Sequence, residues 1–336
     1  MYIYDLITEI ANTGMGGFIG NINCSAPTCA DDITITTYGN IEAQILIVTA
    51  VDYSRREAYK LQPTKSVVLP VRTSSRQSNL QEYTYELGPN VMPIVDKATH
   101  IGINRYTSDA QITTTEKNIK KARRALYSLM GSGMHGENGE DPGTGIIMFK
   151  TYVMPILLYG LEITLVNSKS ISKLQSFHKK TIKHILSLPT NTGDPAIYIL
   201  SGMLPIEAEI EIRAITLLGN ILCGSKNTTE WKITERQLKI KNLESNSWFI
   251  AMRKICMKYN LQDPEIFIHQ QITKSKWKKI MIFKIKKFWK DKILSDKELY
   301  SSLKYLSPIY KIGYVLPLIE IQTVDTREVP KTFTQN

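Results

Sequence analysis

The sequence predicts an α+β fold: a small unit of short antiparallel strands around one helix, followed by an all-α region. Three observations lead there. In "CADDITITT" (29–37), Ile33 and Ile35 alternate with Thr34 and Thr36, the period of a half-buried strand. Beyond residue 106, apolar residues recur three and four apart, the period of a helix. The chain has 336 residues, 43% of them hydrophobic, which is enough to bury cores and too apolar for a disordered chain.

Each element follows from its residues. The first twelve read as a short helix end, and "NTGMGGFIGN" (12–21) as a glycine-rich turn. "INCSAPTCADDITITT" then reads as strand, tight turn, strand, with Pro27 marking an irregular or edge position in the first arm. A helix is expected over 40–61, with Asn40 as its N-cap and Ile41, Ile45, Val48 and Val51 on one face. "SVVLPV" (66–71), "YTYEL" (83–87) and "THIGI" (99–103) read as strands, with a polar loop at 72–81. Residues 1–105 therefore form the α+β unit.

Helices follow. "TTTEKNIKKARRALYSLMG" (113–131) opens on a capping box from Thr113 to Glu116 and carries Ile119, Ala122, Leu126 and Leu129 on one face. Further helices are expected over 145–165, kinked at Pro155, and over 169–188, 194–202, 205–223, 246–259, 275–294 and 296–306. These divide into a helical domain (106–225), a basic helical extension (226–311) and a tail (312–336).

Charge supports that division. Residues 1–225 hold 20 Lys/Arg and 20 Asp/Glu, whereas residues 226–311 hold 20 against 8. A basic excess confined to one block points to a polyanionic partner, although a solvated helical surface has the same composition. Four scattered cysteines make neither a disulfide framework nor a zinc site. The N-terminal segment lacks a basic leader, and the longest apolar stretch, "TYVMPILLYGL" (151–161), is shorter than the ~20 residues a membrane span needs. An intracellular, non-membrane protein is expected.

Two constellations carry chemistry. Asp31 and Asp32 are adjacent at a strand-to-strand turn. Two such carboxylates are either solvated turn residues or ligands for a hard cation such as Mg²⁺, which takes carboxylate and phosphate oxygens. The second is a set of basic helices: Lys117, Lys120, Lys121, Arg123 and Arg124 in one, and Lys173, Lys179, Lys180 and Lys183 in another. Lysines contact phosphates without reading sequence. "KSKWKKIMIFKIKKFWKDK" (274–292) interleaves lysines with Trp277, Phe283, Phe288 and Trp289, which at helical spacing are core residues or base-stacking platforms. "GSGMHG" (131–136) matches a dinucleotide fingerprint in letters only, because a helix precedes it and a polar loop follows; His135 is read as a surface residue.

The order of pieces resembles the C-terminal half of the reverse transcriptase of a LINE-type, non-LTR retrotransposon. "CADD" is similar to the metal-binding turn of the palm, and "LQPTKSVVLPV" (61–71) to the palm segment whose lysine lies near the leaving group. "THIGI" resembles a primer-grip hairpin. "ARRALYSLMGSGMHGENG" (122–139), "YVMPILLYGLEI" (152–163) and "LQSFHKKTIKHILSLPTNTGDPAIYILSGMLPIEAEI" (174–210) resemble thumb segments.

The resemblance implies a partial palm, a helical thumb and a basic extension. It implies Mg²⁺ on Asp31 and Asp32, Lys65 as proton donor to pyrophosphate, and His100, Ile101 and Gly102 at the primer. It further implies an RNA template and DNA primer, or their duplex, as partners, and nucleotides as the small-molecule substrates. Cys29 stands where such enzymes often carry an aromatic residue one position before Ala30. The family's third metal-binding aspartate and its fingers have no counterpart in this sequence. This polypeptide alone is therefore expected not to extend a primer. A non-catalytic nucleic-acid-binding protein derived from such an element is the alternative.

Overall fold

A computed structural model describes residues 2–71, 83–107, 110–131, 133, 139–164, 166–270, 272–306 and 309–316. The expected loop at 72–81, His135 and most of the tail lie outside these residues. The chain divides into two units: Met1–Thr114 with Gly224–Gln237, and Thr115–Cys223 with Leu238–Asn336.

The first unit is built around one helix. α1 (Tyr2–Asn12) precedes two hairpins, β1 (Phe18–Ile19) with β2 (Ile22–Asn23) and β3 (Thr28–Cys29) with β4 (Asp32–Ile33). α2 (Asn40–Arg56) follows, then the hairpins β5 (Tyr85–Leu87) with β6 (Asn90–Met92) and β7 (Lys97–His100) with β8 (Ile103–Tyr106). All four pairs are antiparallel. "SVVLPV" forms no named strand; Val68 only bridges to Ile94. Pro70 interrupts the donors that a longer ladder needs.

α2 buries two faces. Leu46, Ala50 and Tyr53 pack on Leu6 and Ile10 of α1, and Ile47 and Val51 pack on Tyr85 and Leu87 of β5. This corrects the expected face. Of the four residues named from spacing, only Val51 is buried, and Ile41 is 70% exposed. Asn40 is not the cap either: Gly39 is, with no side-chain bond, while Asn40 Oδ1 accepts the Tyr85 hydroxyl at 2.9 Å.

The second unit is helical. α3 (Ala110–Gly131) starts three residues before the expected cap, because Ala110 and Gln111 extend it. α4 (Pro142–Met148) is capped by Asp141 and runs through a π-helical turn at Phe149–Val153 into α5 (Met154–Leu158). The wide turn accommodates Pro155, which has no N–H to give. Asn118 Nδ2 donates to the carbonyls of Leu157 and Tyr159, at 3.2 and 2.8 Å, satisfying oxygens left free where α5 ends. Then come α6 (Ser168–Ile185), α7 (Asp194–Ser201) and α8 (Ile206–Leu222).

α9 (Thr229–Ile240), most of which belongs to the first unit, was not expected from the sequence; it carries only a few apolar residues. α10 (Trp248–Lys258), the short α11 (Ile266–His269) and α12 (Lys274–Glu298) complete the helices. The separate helix expected over 296–306 does not form: α12 absorbs its start, and a 3₁₀ turn at Ser301–Leu303 follows. α6, α7 and α12 pack together with α8, around Phe149, Leu157, Leu174, Ile182, Ile197 and Ile206. No helix among the described residues is long and apolar enough to cross a membrane.

Candidate metal hairpin and nucleic-acid interface

The tip of β3–β4 is tight. Cys29 pairs with Asp32, so Ala30 and Asp31 alone make the turn, and Ala30 has φ +55°. A non-glycine residue in the left-handed region is strained, and such strain persists only where the surroundings impose it. Here the hairpin is held at its base: Thr36 N–H donates to Ser25 O at 2.8 Å, and Thr34 N–H to Pro27 O at 3.0 Å. Asp31, Asp32 and Cys29 are all exposed. The two carboxylates are thus exposed at the end of a short, anchored hairpin.

A second tight turn lies against this hairpin. β7–β8 turns on Ile101 and Gly102, with φ +50° and +69°. Two successive positive φ values match the twist of the flanking strands. Glycine adopts that conformation readily; β-branched Ile101 does so under strain. His100 Nε2 lies 3.3 Å from Thr34 Oγ1, two residues beyond Asp32. The two turns therefore belong to one body. Lys65 ends an exposed 3₁₀ turn, Pro63–Lys65, and makes no ion pair among the described residues.

Do these groups suit a divalent cation? Among the described residues no cluster of three or more His, Cys, Asp or Glu is placed to hold a metal. Two exposed carboxylates fit Mg²⁺ only in its usual manner, with substrate phosphates and water completing the shell. They do not supply a resident two-ion centre.

In the second unit, α3 and α6 flank a groove of about 830 Å³. Its floor is apolar, with Ile119, Leu126 and Phe177, and its rim carries Lys120, Arg123 and Lys180. Those three cations have no hydrogen-bond or ion-pair partner among the described residues. Lys173 also lines the groove but is held by Glu116 at 2.5 Å. Tyr127 and His184 complete the rim, and Tyr127 is 62% exposed. Neither was singled out from sequence, although Tyr127 lies four residues after Arg123 and seven after Lys120, on the same helical face.

The structure separates the lysines that sequence grouped together. Lys179 binds Asp194 at 2.7 Å, and Lys183 donates to the Thr190 carbonyl at 2.5 Å. Both tie α6 to the segment that follows it and are spent on the fold. Lys121 and Arg124 are exposed but do not line the groove, nor does half-buried Lys117.

The basic extension divides likewise. Lys258 is clamped by Glu207 at 2.6 Å and Glu211 at 2.9 Å, and lies over the rings of Tyr259 and Trp289. Lys284 donates to Asn260 O at 2.6 Å, and Lys297 is buried. Trp277 and Trp289 are core residues, with indole N–H groups satisfied by Ile215 O at 3.0 Å and Tyr259 Oη at 2.7 Å. The chain matches no protein-family model, no curated protein and no solved structure.

Proposed function

We propose that this chain is the palm-end and thumb portion of an RNA-directed DNA polymerase of the LINE type, and that by itself it binds primer–template without extending it. In this reading Asp31 and Asp32 hold Mg²⁺ together with nucleotide phosphates, and His100, Ile101 and Gly102 bear on the primer end. Mg²⁺ would supply charge neutralisation for phosphoryl transfer. Lys65 would donate a proton to the leaving pyrophosphate. Lys120, Arg123 and Lys180 would hold duplex phosphates. The observation that carries the reading is the Thr34–His100 contact, which joins the hairpin that carries both carboxylates to the hairpin that turns on Ile101 and Gly102.

A non-catalytic nucleic-acid-binding role is the second reading. It is favoured by a groove in which Lys120, Arg123 and Lys180 are free while the metal hairpin has only two carboxylates.

One titration addresses both. The purified chain is mixed with an RNA–DNA duplex, and Mn²⁺ stands in for Mg²⁺ as a paramagnetic probe. Duplex binding, with Mn²⁺ broadening the amides of Ile33 and Thr34 in the wild type but not in Asp31→Asn, supports the polymerase reading. Duplex binding without that broadening leaves the binding protein. No duplex binding defeats both.

A further inference from the structure

We propose that the outer face of α12 binds single-stranded nucleic acid, with an unpaired base stacked on Phe283 and the flanking phosphates held by lysines. The site is separate from the groove between α3 and α6 and does not depend on the polymerase reading.

The helix divides its aromatics between two jobs. Its buried residues are Trp277, Met281, Ile285, Trp289, Ile293 and Lys297, one in every four. At about 100° per residue, a four-residue step advances by about 40°, so the buried stripe winds around the helix. It runs as a ridge against α7 and α8. Phe283 belongs to neither the stripe nor its edge and is 65% exposed.

The positions that neighbour Phe283 on a helix are three, four and seven residues away. Five of these six positions are lysines, Lys276 and Lys279 before it and Lys286, Lys287 and Lys290 after it; the sixth is Ile280. All five are exposed, and among the described residues none of their ammonium groups forms a hydrogen bond or ion pair. Glu209 on α8 feels Lys286 at longer range, and burial raises its carboxyl above the ordinary range. From Lys276 to Lys290 the row is about 21 Å long.

Such a face is unfavourable alone. Like charges one turn apart repel, and the phenyl ring exposes apolar surface to water. Both costs are offset by one kind of partner: a polyanion that also presents flat apolar faces. Unpaired bases do so, and stacking tolerates any sequence. A duplex hides its bases. An anionic membrane would want a broad apolar stripe, and α12 has turned its stripe inward, leaving on this face Phe283 and, one turn before it, Ile280, 38% exposed, among lysines.

The test uses the full chain, phosphatidylserine vesicles as a membrane control, and three probes: a short labelled oligothymidine, an oligouridine of equal length, and heparin, which has charge but no bases. Phe283→Ala is expected to weaken both oligonucleotides about tenfold, and to leave heparin unchanged. Phe283→Trp restores oligonucleotide binding, and being at an exposed position neither change should move the melting temperature. Lys279→Gln with Lys286→Gln and Lys290→Gln weakens all three probes and lowers the single-strand salt slope by about 2. Wild-type oligonucleotide affinity in Phe283→Ala overturns the proposal. So does equal loss of heparin binding, or release from phosphatidylserine vesicles with oligonucleotide binding intact. Duplex affinity of Lys120→Gln, Arg123→Gln, Lys180→Gln reports separately on the groove.

Discussion

Thr34 Oγ1 and His100 Nε2 stand 3.3 Å apart across 66 residues of chain, and through them the aspartate hairpin leans on the Ile101–Gly102 hairpin. A two-residue-per-strand hairpin is marginal alone, so this side-chain bond restrains the geometry of the carboxylate turn. His100→Ala and Thr34→Val should each speed amide exchange at Ile33, Thr34 and Thr36. The double variant should be no worse than the worse single one, with a coupling of about 1 kcal/mol. Additive effects in the cycle would mean that the bond does not restrain the turn.

Free and engaged lysines make different predictions. Lys120→Gln, Arg123→Gln and Lys180→Gln together should weaken RNA–DNA duplex binding and lower the salt slope by up to about 3, with no loss of stability. Lys179→Gln removes the ion pair to Asp194, which is part-exposed, and should cost no more than about 1 kcal/mol of stability. Its effect on duplex affinity should be small. Anisotropy titrations at several salt concentrations, beside urea denaturation, separate the two classes. A larger affinity loss in Lys179→Gln than in the triple variant would reverse the assignment.

His178 predicts an acid limb in stability. The ring is fully buried between Phe149 and Tyr198, and neither nitrogen has a hydrogen-bond partner. Burial, and then the charge of Lys179, pulls its pKa down to about 3. The unfolded chain takes up a proton near pH 6.5 that the folded chain refuses until about 3. Stability is therefore complete above pH 6.5 and falls below it, by up to about 1.4 kcal/mol per pH unit. His178→Phe removes the proton and two unsatisfied nitrogens. It should match or exceed wild-type stability at pH 7 and flatten the decline between pH 6.5 and 4. Equal slopes for both proteins would place the acid sensitivity elsewhere.

Legibility followed the strength of the local signal. α6, α7 and α8 were readable to within a residue or a few at each end, because their apolar spacing and the prolines and glycines around them agree. The tight turn at Asp31 is present as expected, but the alternation at 33–36 promised a strand of which only Ile33 lies in β4. α2 was readable as a helix but not by face: it carries apolar residues on three sides, and only tertiary packing decides which two are buried. The winding stripe of α12 has no fixed face, so spacing could not tell Phe283 from Trp277. Nor could it reveal that Lys179 and Lys183 are used internally, since their partners lie in the turn and helix that follow α6. Charge composition reports how many cations a segment has, and only the fold reports which of them remain free.

Gly219 and Trp277 test how α12 is seated. A Cβ at Gly219 would lie 2.2 Å from Trp277 Nε1, and the same indole donates to Ile215 O at 3.0 Å. The ring lies directly on the backbone of α8, and it meets Phe267 edge to face at a centroid distance of 5.0 Å. Gly219→Ala improves helix propensity by about 1 kcal/mol in an exposed helix. Here it should instead destabilise, because overpacking costs about 1–3 kcal/mol and the indole bond is lost as well. Trp277→Phe should partly relieve the clash, so the double variant is expected to be more stable than the sum of the single changes allows. Thermal melts of the four proteins measure this. Stabilisation by Gly219→Ala alone would show that α12 does not rest on α8 at this point.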